Sequence, residues 1–337
     1  LYTYTHMTTN TTLHIILRHT DSTSFKVEIT SSIPNSSWSY EGSAHVNVPY
    51  TNQYIFDHPW SKIINLKLYS GFASQMELTV TTIPTDTMFN YVFDCDDTYL
   101  ILHNLVTSGF IDVCRSDRLR TDYINGEAGI RLMSHDMTSG LITNPNRIIS
   151  KGPIFIETSN MINRHGIISG GSIFCMFKGT KPKIMSLENA FGKIIAEGSV
   201  HLYGVGYIDN YKGIIQSKTD QVLLFTESSF NNFDGSIIGY LNVNLHTKGH
   251  IENDKNALIR SVTKNVCISS DKTLSNQFDS EISSYGDVEL YVTGRFSNFN
   301  GIINSSHGNA IIEAGEISTY KMFTGFITST NLISIPF

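Results

Sequence analysis

The chain has 337 residues, of which 40% are hydrophobic and only 16% charged, with a formal net charge of -6. An ordinary globular domain carries about 25% charged residues, so Ser, Thr, Asn and Gly fill the difference here. The acidic balance argues against a nucleic-acid binder, the abundance of Ile, Leu, Val, Phe and Tyr argues against disorder, and no run of about 18 apolar residues offers a membrane helix. No signal peptide is visible at the start as given, and Leu1 in place of Met is consistent with a processed or trimmed N-terminus.

Residues 1–92 read as an N-terminal β-rich cap or sandwich domain. Strands are expected at Thr12–Leu17, Phe25–Ile29, Ala44–Val48, Lys62–Tyr69 and Met76–Thr81, with turns at Pro34, Asn35, Pro59 and Gly71. The junction is expected around Pro84-Thr85-Asp86. Just beyond it, Asp94-Cys95-Asp96-Asp97 is the densest acidic cluster. It lacks the Asp-x-Asp-x-Asp-Gly pattern of a calcium loop and reads as a solvated turn. The four cysteines, Cys95, Cys114, Cys175 and Cys267, form no CxxC pair and are expected as buried thiols.

From 93 to 337 the chain repeats. Asn163, Asn189, Asn210, Asn232, Asn253, Asn276 and Asn298 follow one another at steps of 26, 21, 22, 21, 23 and 22, and Tyr320 takes the next slot. Two residues before each Asn stand Met161, Leu187, Ile208, Phe230, Ile251, Leu274 and Phe296. Five after it stand Ile168, Ile194, Ile215, Ile237, Leu258, Glu281 and Ile303, with Ile282 following the one polar exception as a one-residue insertion would leave it. Three after it stand Gly166, Gly192, Gly213, Gly235, Asn256, Asp279 and Gly301. Gly, Asn and Asp best tolerate positive φ, which predicts a left-handed residue at that position of a recurring tight turn. Upstream, Asn144 with Ile142 and Ile149 suggests one irregular coil, and Asn125 and Asn104 are weaker candidates.

A period near 22 without the L-x-x-L-x-L-x-x-N frame excludes a leucine-rich repeat. The fold class is therefore all-β: a parallel β-helix, a solenoid with about 22 residues and three short strands per coil, capped at its N-terminus by sandwich-like or irregular β-structure. Coils stack at about 4.8 Å, and about ten or eleven fit between residue 93 and the end. The Asn column is expected to be a turn-capping ladder of stacked amides, not a ligand site.

The stretch Gly192–Gly249, GKIIAEGSVHLYGVGYIDNYKGIIQSKTDQVLLFTESSFNNFDGSIIGYLNVNLHTKG, resembles the haemagglutinin repeat of filamentous haemagglutinins and related two-partner-secretion exoproteins, with its L-x-N-x-x-G-x-I core. The resemblance spans about residues 140–330, and Asn144-Pro145-Asn146 is similar to the NPN core of that family's secretion motifs. It implies a right-handed parallel β-helix, export to the cell surface, and a role in adhesion or contact-dependent growth inhibition. The first 90 residues do not resemble the family's secretion domain.

No GxSxG, HExxH, P-loop or GxGxxG motif is present, and no cofactor or metal site is implied. His246 and His250 are four apart, a spacing that pairs side chains on a helix but not on a strand. Asp209, Asp234, Asp254 and Asp279 lie near the Asn column at differing offsets and read as solvent-facing turn residues balanced by Arg164, Lys212 and Lys255. Asp209 and Asp234 are the pair a polysaccharide-acting enzyme or tailspike-like depolymerase would use. Tyr211, Phe233 and Phe299, each directly after an Asn, form a candidate outward aromatic stripe for sugar rings or another chain. The leading expectation is thus a secreted or surface-exposed non-enzymatic protein, an adhesin or structural stalk binding a glycan or a cell-surface partner protein. The alternatives are the enzyme above and a self-assembling subunit of a fibre or lattice. Asn10, Asn35 and Asn304 lie in N-x-S/T triplets.

Overall fold

In a computed structural model, the described residues are 3–6, 15–19, 23–31, 37–44, 53–56, 63–70, 75–80, 88–94, 99–134, 140–179, 185–318, 326–328 and 331–336. They form β-strands and no helix, and the parallel strands stack as a β-solenoid of about ten turns at about 22 residues per coil. By the density of internal contacts the chain divides into two units, Leu1–Ser159 and Asn160–Phe337.

In the first unit, antiparallel pairing is confined to the N-terminal strands. Thr23–Ser31 pairs with Ser37–Ala44 and with Ile63–Ser70, and Ile15–His19 pairs with Gln75–Val80. The expected strand Ala44–Val48 lies largely outside the described residues, and the observed strand ends at Ala44. Parallel pairing starts earlier than residue 93, because Ile63 already aligns with Met88 and Gln75 with Tyr99. These steps of 25 and 24 residues are longer than the later period, which is why the coil carries no visible 22-residue register. Further on, Leu100, Leu119 and Ile142 align through successive coils and are buried, as are Ile111, Ile130 and Ile154. At the next inward position Ile148 is buried, aligned with Ile124, while Ile149 is only half-buried. The polar slot that follows holds Thr121 and Asn144, whereas Asn125 sits within a strand and Asn104 at an exposed turn.

The second unit is more regular. Strands are short, alternate buried with half-exposed residues, and pair in register with the next coil, as half-buried β-structure should. Met161, Leu187, Ile208, Phe230, Ile251, Leu274 and Phe296 form one buried column. Val200, Val222, Val243, Val266, Val288 and Ala310 form another. The third is Ile168, Ile194, Ile215, Ile237, Ile259, Ile282 and Ile303. Burying each aliphatic side chain contributes about 1.5–3 kcal/mol. The expected column therefore shifts at one position, where Leu258 aligns with the outward row and Ile259 points inward, and the insertion expected before Ile282 is present, with Glu281 outward. One extra residue enters the turn of both coils, Asn256 and Asp279, each the second of two consecutive residues with positive φ.

Hydroxyls occupy the other corners. Ser217, Ser261 and Ser305 donate to the carbonyls of Gly198, Leu241 and Gly286. Thr226 donates to Thr247, and Thr247 and Ser270 reach the carbonyls of Ser228 and Gly249. Buried turn polar groups thus find partners, as burial requires. Among the described cysteines all are free thiols. Cys175 is buried in the core, which pushes its pKa up to about 12, and Cys267 rises to about 11 through burial and then the neighbouring Glu289. A thiol with a raised pKa carries little of the nucleophilic thiolate at neutral pH. Cys95 and its acidic neighbours Asp96 and Asp97 lie outside the described residues, as does Tyr320.

Candidate functional site

The Asn corner is the most strongly built feature of the second unit. Each side-chain Nδ2 donates to the Oδ1 of the Asn in the next coil at 2.7 Å, an unbroken series from Asn163 to Asn298. Nδ2 also approaches backbone carbonyls, as in Asn210 to Gly213 at 3.2 Å and Asn232 to Leu258 at 3.3 Å. All seven amides are buried. A buried amide without partners is costly, so the ladder holds its members in line.

The expected left-handed residue stands three after the Asn at Asn256 and Asp279, but in the coils with glycine there it is displaced by one position. Positive φ falls two residues after the Asn, at His165, Phe191, Lys212, Asp234, Lys255, Phe278 and Asn300. This is the third position of a turn closed by the following N–H, as in Gly213 N–H to Asn210 C=O at 3.0 Å. Where glycine stands three after the Asn, as at Gly192, Gly213, Gly235 and Gly301, it is required for space. A Cβ on Gly213 would lie 2.3 Å from the carbonyl oxygen of Asn189, and one on Gly192 would lie 2.0 Å from that of Asn163. The turn glycines let one coil settle onto the one before it.

Two consequences follow for the surface. The ladder fixes the directions of the side chains one and two after each Asn, and several of these are aromatic. His165 stacks on Phe191 at 5.0 Å, Phe191 meets Tyr211 edge-on at 5.3 Å, and Tyr211 stacks on Phe233 at 5.6 Å. Lys212 Nζ sits 5.6 Å from the ring centres of both Phe191 and Tyr211, and Lys255 Nζ lies 5.1 Å from that of Phe233. Phe191 is 45% exposed. An aromatic residue at positive φ is strained, and strain of this kind concentrates at functional positions.

The three aromatic residues expected as a stripe separate into two groups. Tyr211 and Phe233 are stacked together. Phe299 instead meets Phe278 edge-on at 5.8 Å, because Asp254 and Gln277 take the intervening positions. Phe299 lines a cavity of about 310 Å³ with Gln277, Arg295, Ser297 and Ser318. His165, Phe191 and Phe278 were not expected, since attention to the position directly after the Asn misses the next one. Their signal was the alternation of aromatics between these two positions.

The carboxylates are occupied locally. Asp209 Oδ1 accepts the N–H of Tyr211 at 3.1 Å and Nδ2 of Asn231 at 2.9 Å. Asp234 lies 3.7 Å from Lys212 Nζ, and Asp279 accepts Nδ2 of Asn300 at 2.8 Å. Asp254 accepts Ser275 Oγ and the Gln277 N–H; burial raises its pKa and these two donors oppose the rise. Among the described residues no hydrogen bond or ion pair joins Asp209 to Asp234. His246 Nδ1 is 2.6 Å from Ser269 Oγ and His250 Nδ1 is 2.8 Å from Thr273 Oγ1, so each histidine is engaged across to the next coil. No three His, Cys, Asp or Glu side chains among the described residues gather as a metal site requires. Nor is any helix there long and apolar enough to cross a membrane. No family model matches the chain, and no curated protein or solved structure matches it either.

Proposed function

We propose that this chain is a non-enzymatic, secreted or cell-surface solenoid that binds a glycan along the turn row beside the Asn ladder. The observation that carries the reading is the run His165, Phe191, Tyr211 and Phe233, with Lys212 and Lys255 set against its rings. Ring faces bury the apolar faces of sugars, and the ammonium groups offer donors to their hydroxyls. A solenoid supplies a rigid base on which such groups repeat coil by coil. The resemblance of residues 192–249 to haemagglutinin repeats supports the adhesive role and the location outside the cell. The enzymatic alternative draws less support, because Asp209 is engaged by the Tyr211 N–H and Asn231, and Asp234 by Lys212 of the preceding coil.

The test is a glycan array probed with the full chain and with the triple variant Phe191→Ala, Tyr211→Ala, Phe233→Ala. Glycan binding that falls at least about tenfold in the variant, with thermal unfolding still cooperative, supports the reading; tenfold corresponds to about 1.4 kcal/mol. Binding unchanged in the variant overturns it, and so does depolymerisation of a polysaccharide that Asp209→Asn or Asp234→Asn abolishes.

A further inference from the structure

The cavity beside Phe299 differs in chemistry from the stripe. Among the described residues it is lined by Gln277, Arg295, Ser297, Phe299 and Ser318, which form an open recess of about 310 Å³. Arg295 Nη2 donates to Ser318 Oγ at 2.7 Å, and Gln277 Nε2 donates to Ser297 Oγ at 2.7 Å. Each hydroxyl thus spends acceptor capacity on a neighbour and keeps its own O–H to donate elsewhere. The guanidinium retains further N–H donors, and none of these lining residues is acidic. Elsewhere Arg164 is paired with Glu188 and Lys248 with Glu227. The hydrogen bond that orients Arg295 runs instead to a neutral hydroxyl.

From this donor-rich, cationic lining beside an aromatic ring we infer a subsite for one sugar unit bearing a ring carboxylate, such as a hexuronate. The inference rests on the glycan-binding reading and names the chemistry that reading leaves open. The guanidinium fork matches a carboxylate in a bidentate way. The hydroxyls of Ser297 and Ser318 donate to ring oxygens, and Phe299 takes the apolar sugar face. The volume is near the lower end of small-ligand pockets, enough for one ring. Glu316 stands opposite Arg295 in the strand register, outside the lining, and opposes an anion there.

The test is calorimetric titration of the full chain with trigalacturonate and with its neutral methyl ester. The expected result is binding of the acid at least about tenfold tighter than the ester. Arg295→Gln abolishes that preference, Arg295→Lys restores part of it, and Glu316→Gln strengthens it. Arg295 is exposed, so these variants leave the core intact. Equal binding of acid and ester, or full affinity in Arg295→Gln, overturns the subsite. If other glycans still depend on Phe191, Tyr211 and Phe233, the subsite falls alone; if no saccharide binds the chain, both proposals fall.

Discussion

The coils between residues 99 and 149 and those between 160 and 318 solve the same packing problem with different corners. Both bury aliphatic columns and both pair strands in parallel register. In the later coils the polar slot is Asn seven times, and each amide is bonded to the next. In the earlier coils Thr121 and Asn144 fill that slot, joined by one bond of 3.3 Å from Thr121 Oγ1 to Asn144 Oδ1. Coil length varies with the corner. Leu100 to Leu119 spans 19 residues and Leu119 to Ile142 spans 23, against steps mostly of 21–23 along the ladder. Aliphatic columns are forgiving of coil length because the hydrophobic effect has no direction. An amide series tolerates a longer coil only where the extra residues lie away from the corner, as Asn163 still reaches Asn189 at 2.7 Å over a 26-residue step, because an amide placed out of line strands buried donors and acceptors.

Breaking the ladder at its centre gives the largest expected effect. Asn232→Ala removes the acceptor of Asn210 and the donor to Asn253, besides its own bond to the Gly235 carbonyl. Two buried amides lose a partner, so the loss is about 3–5 kcal/mol by the usual cost of unsatisfied groups. The corresponding Thr121→Val in the earlier coils removes one long bond and costs about 1 kcal/mol. Urea denaturation of both variants measures the contrast. Equal losses at the two sites show that the ladder is not what distinguishes the regions.

The turn glycines sharpen the comparison next. Gly213→Ala drives a Cβ within 2.4 Å of Asn210 Oδ1 and 2.3 Å of the Asn189 carbonyl, so it costs about 2–4 kcal/mol as a local overpacking. Lys212→Gly, one residue earlier, relieves a side chain held at φ 51° and is neutral or stabilising by up to about 1 kcal/mol. The opposite order of stabilities would return the glycine to a conformational role. This pair also bears on what the sequence made legible. The Asn, Gly and apolar columns, and hence the solenoid, were readable because stacking makes neighbours of residues one coil apart. The reason for the glycines was not readable, since contact of Gly213 with Asn189 exists only once coils are superposed. Leu258 misled because Asn256 kept the turn composition while adding a residue, whereas the polarity of Glu281 made the insertion at Asp279 legible. The stripe was half legible: Tyr211 and Phe233 stood out directly after the Asn, whereas Phe191 is brought beside them by the positive φ of its own backbone.

Two carboxylates, one in each region, give the finest distinction: Asp112 is buried and Asp254 half-buried. Asp112 is clamped by Arg131, whose Nε donates to Oδ1 at 2.8 Å while Nη2 pairs with Oδ2. Asp112→Asn weakens a charge-assisted pair and costs about 1 kcal/mol, allowing for the partly exposed guanidinium. Asp254 has only the Ser275 hydroxyl and the Gln277 N–H for compensation, and burial raises its pKa in the fold. A carboxyl group with a raised folded pKa favours folding as pH falls through that value and opposes it above. Asp254→Asn keeps an acceptor oxygen for both donors and removes the charge. It therefore raises the melting temperature slightly at pH 7, and the gain fades in acid, where the native carboxyl is already protonated. Thermal melts of Asp254→Asn against the parent chain across pH 3–7 decide the sign. A loss of stability at pH 7 shows that the two donors outweigh burial, and the two carboxylates then behave alike.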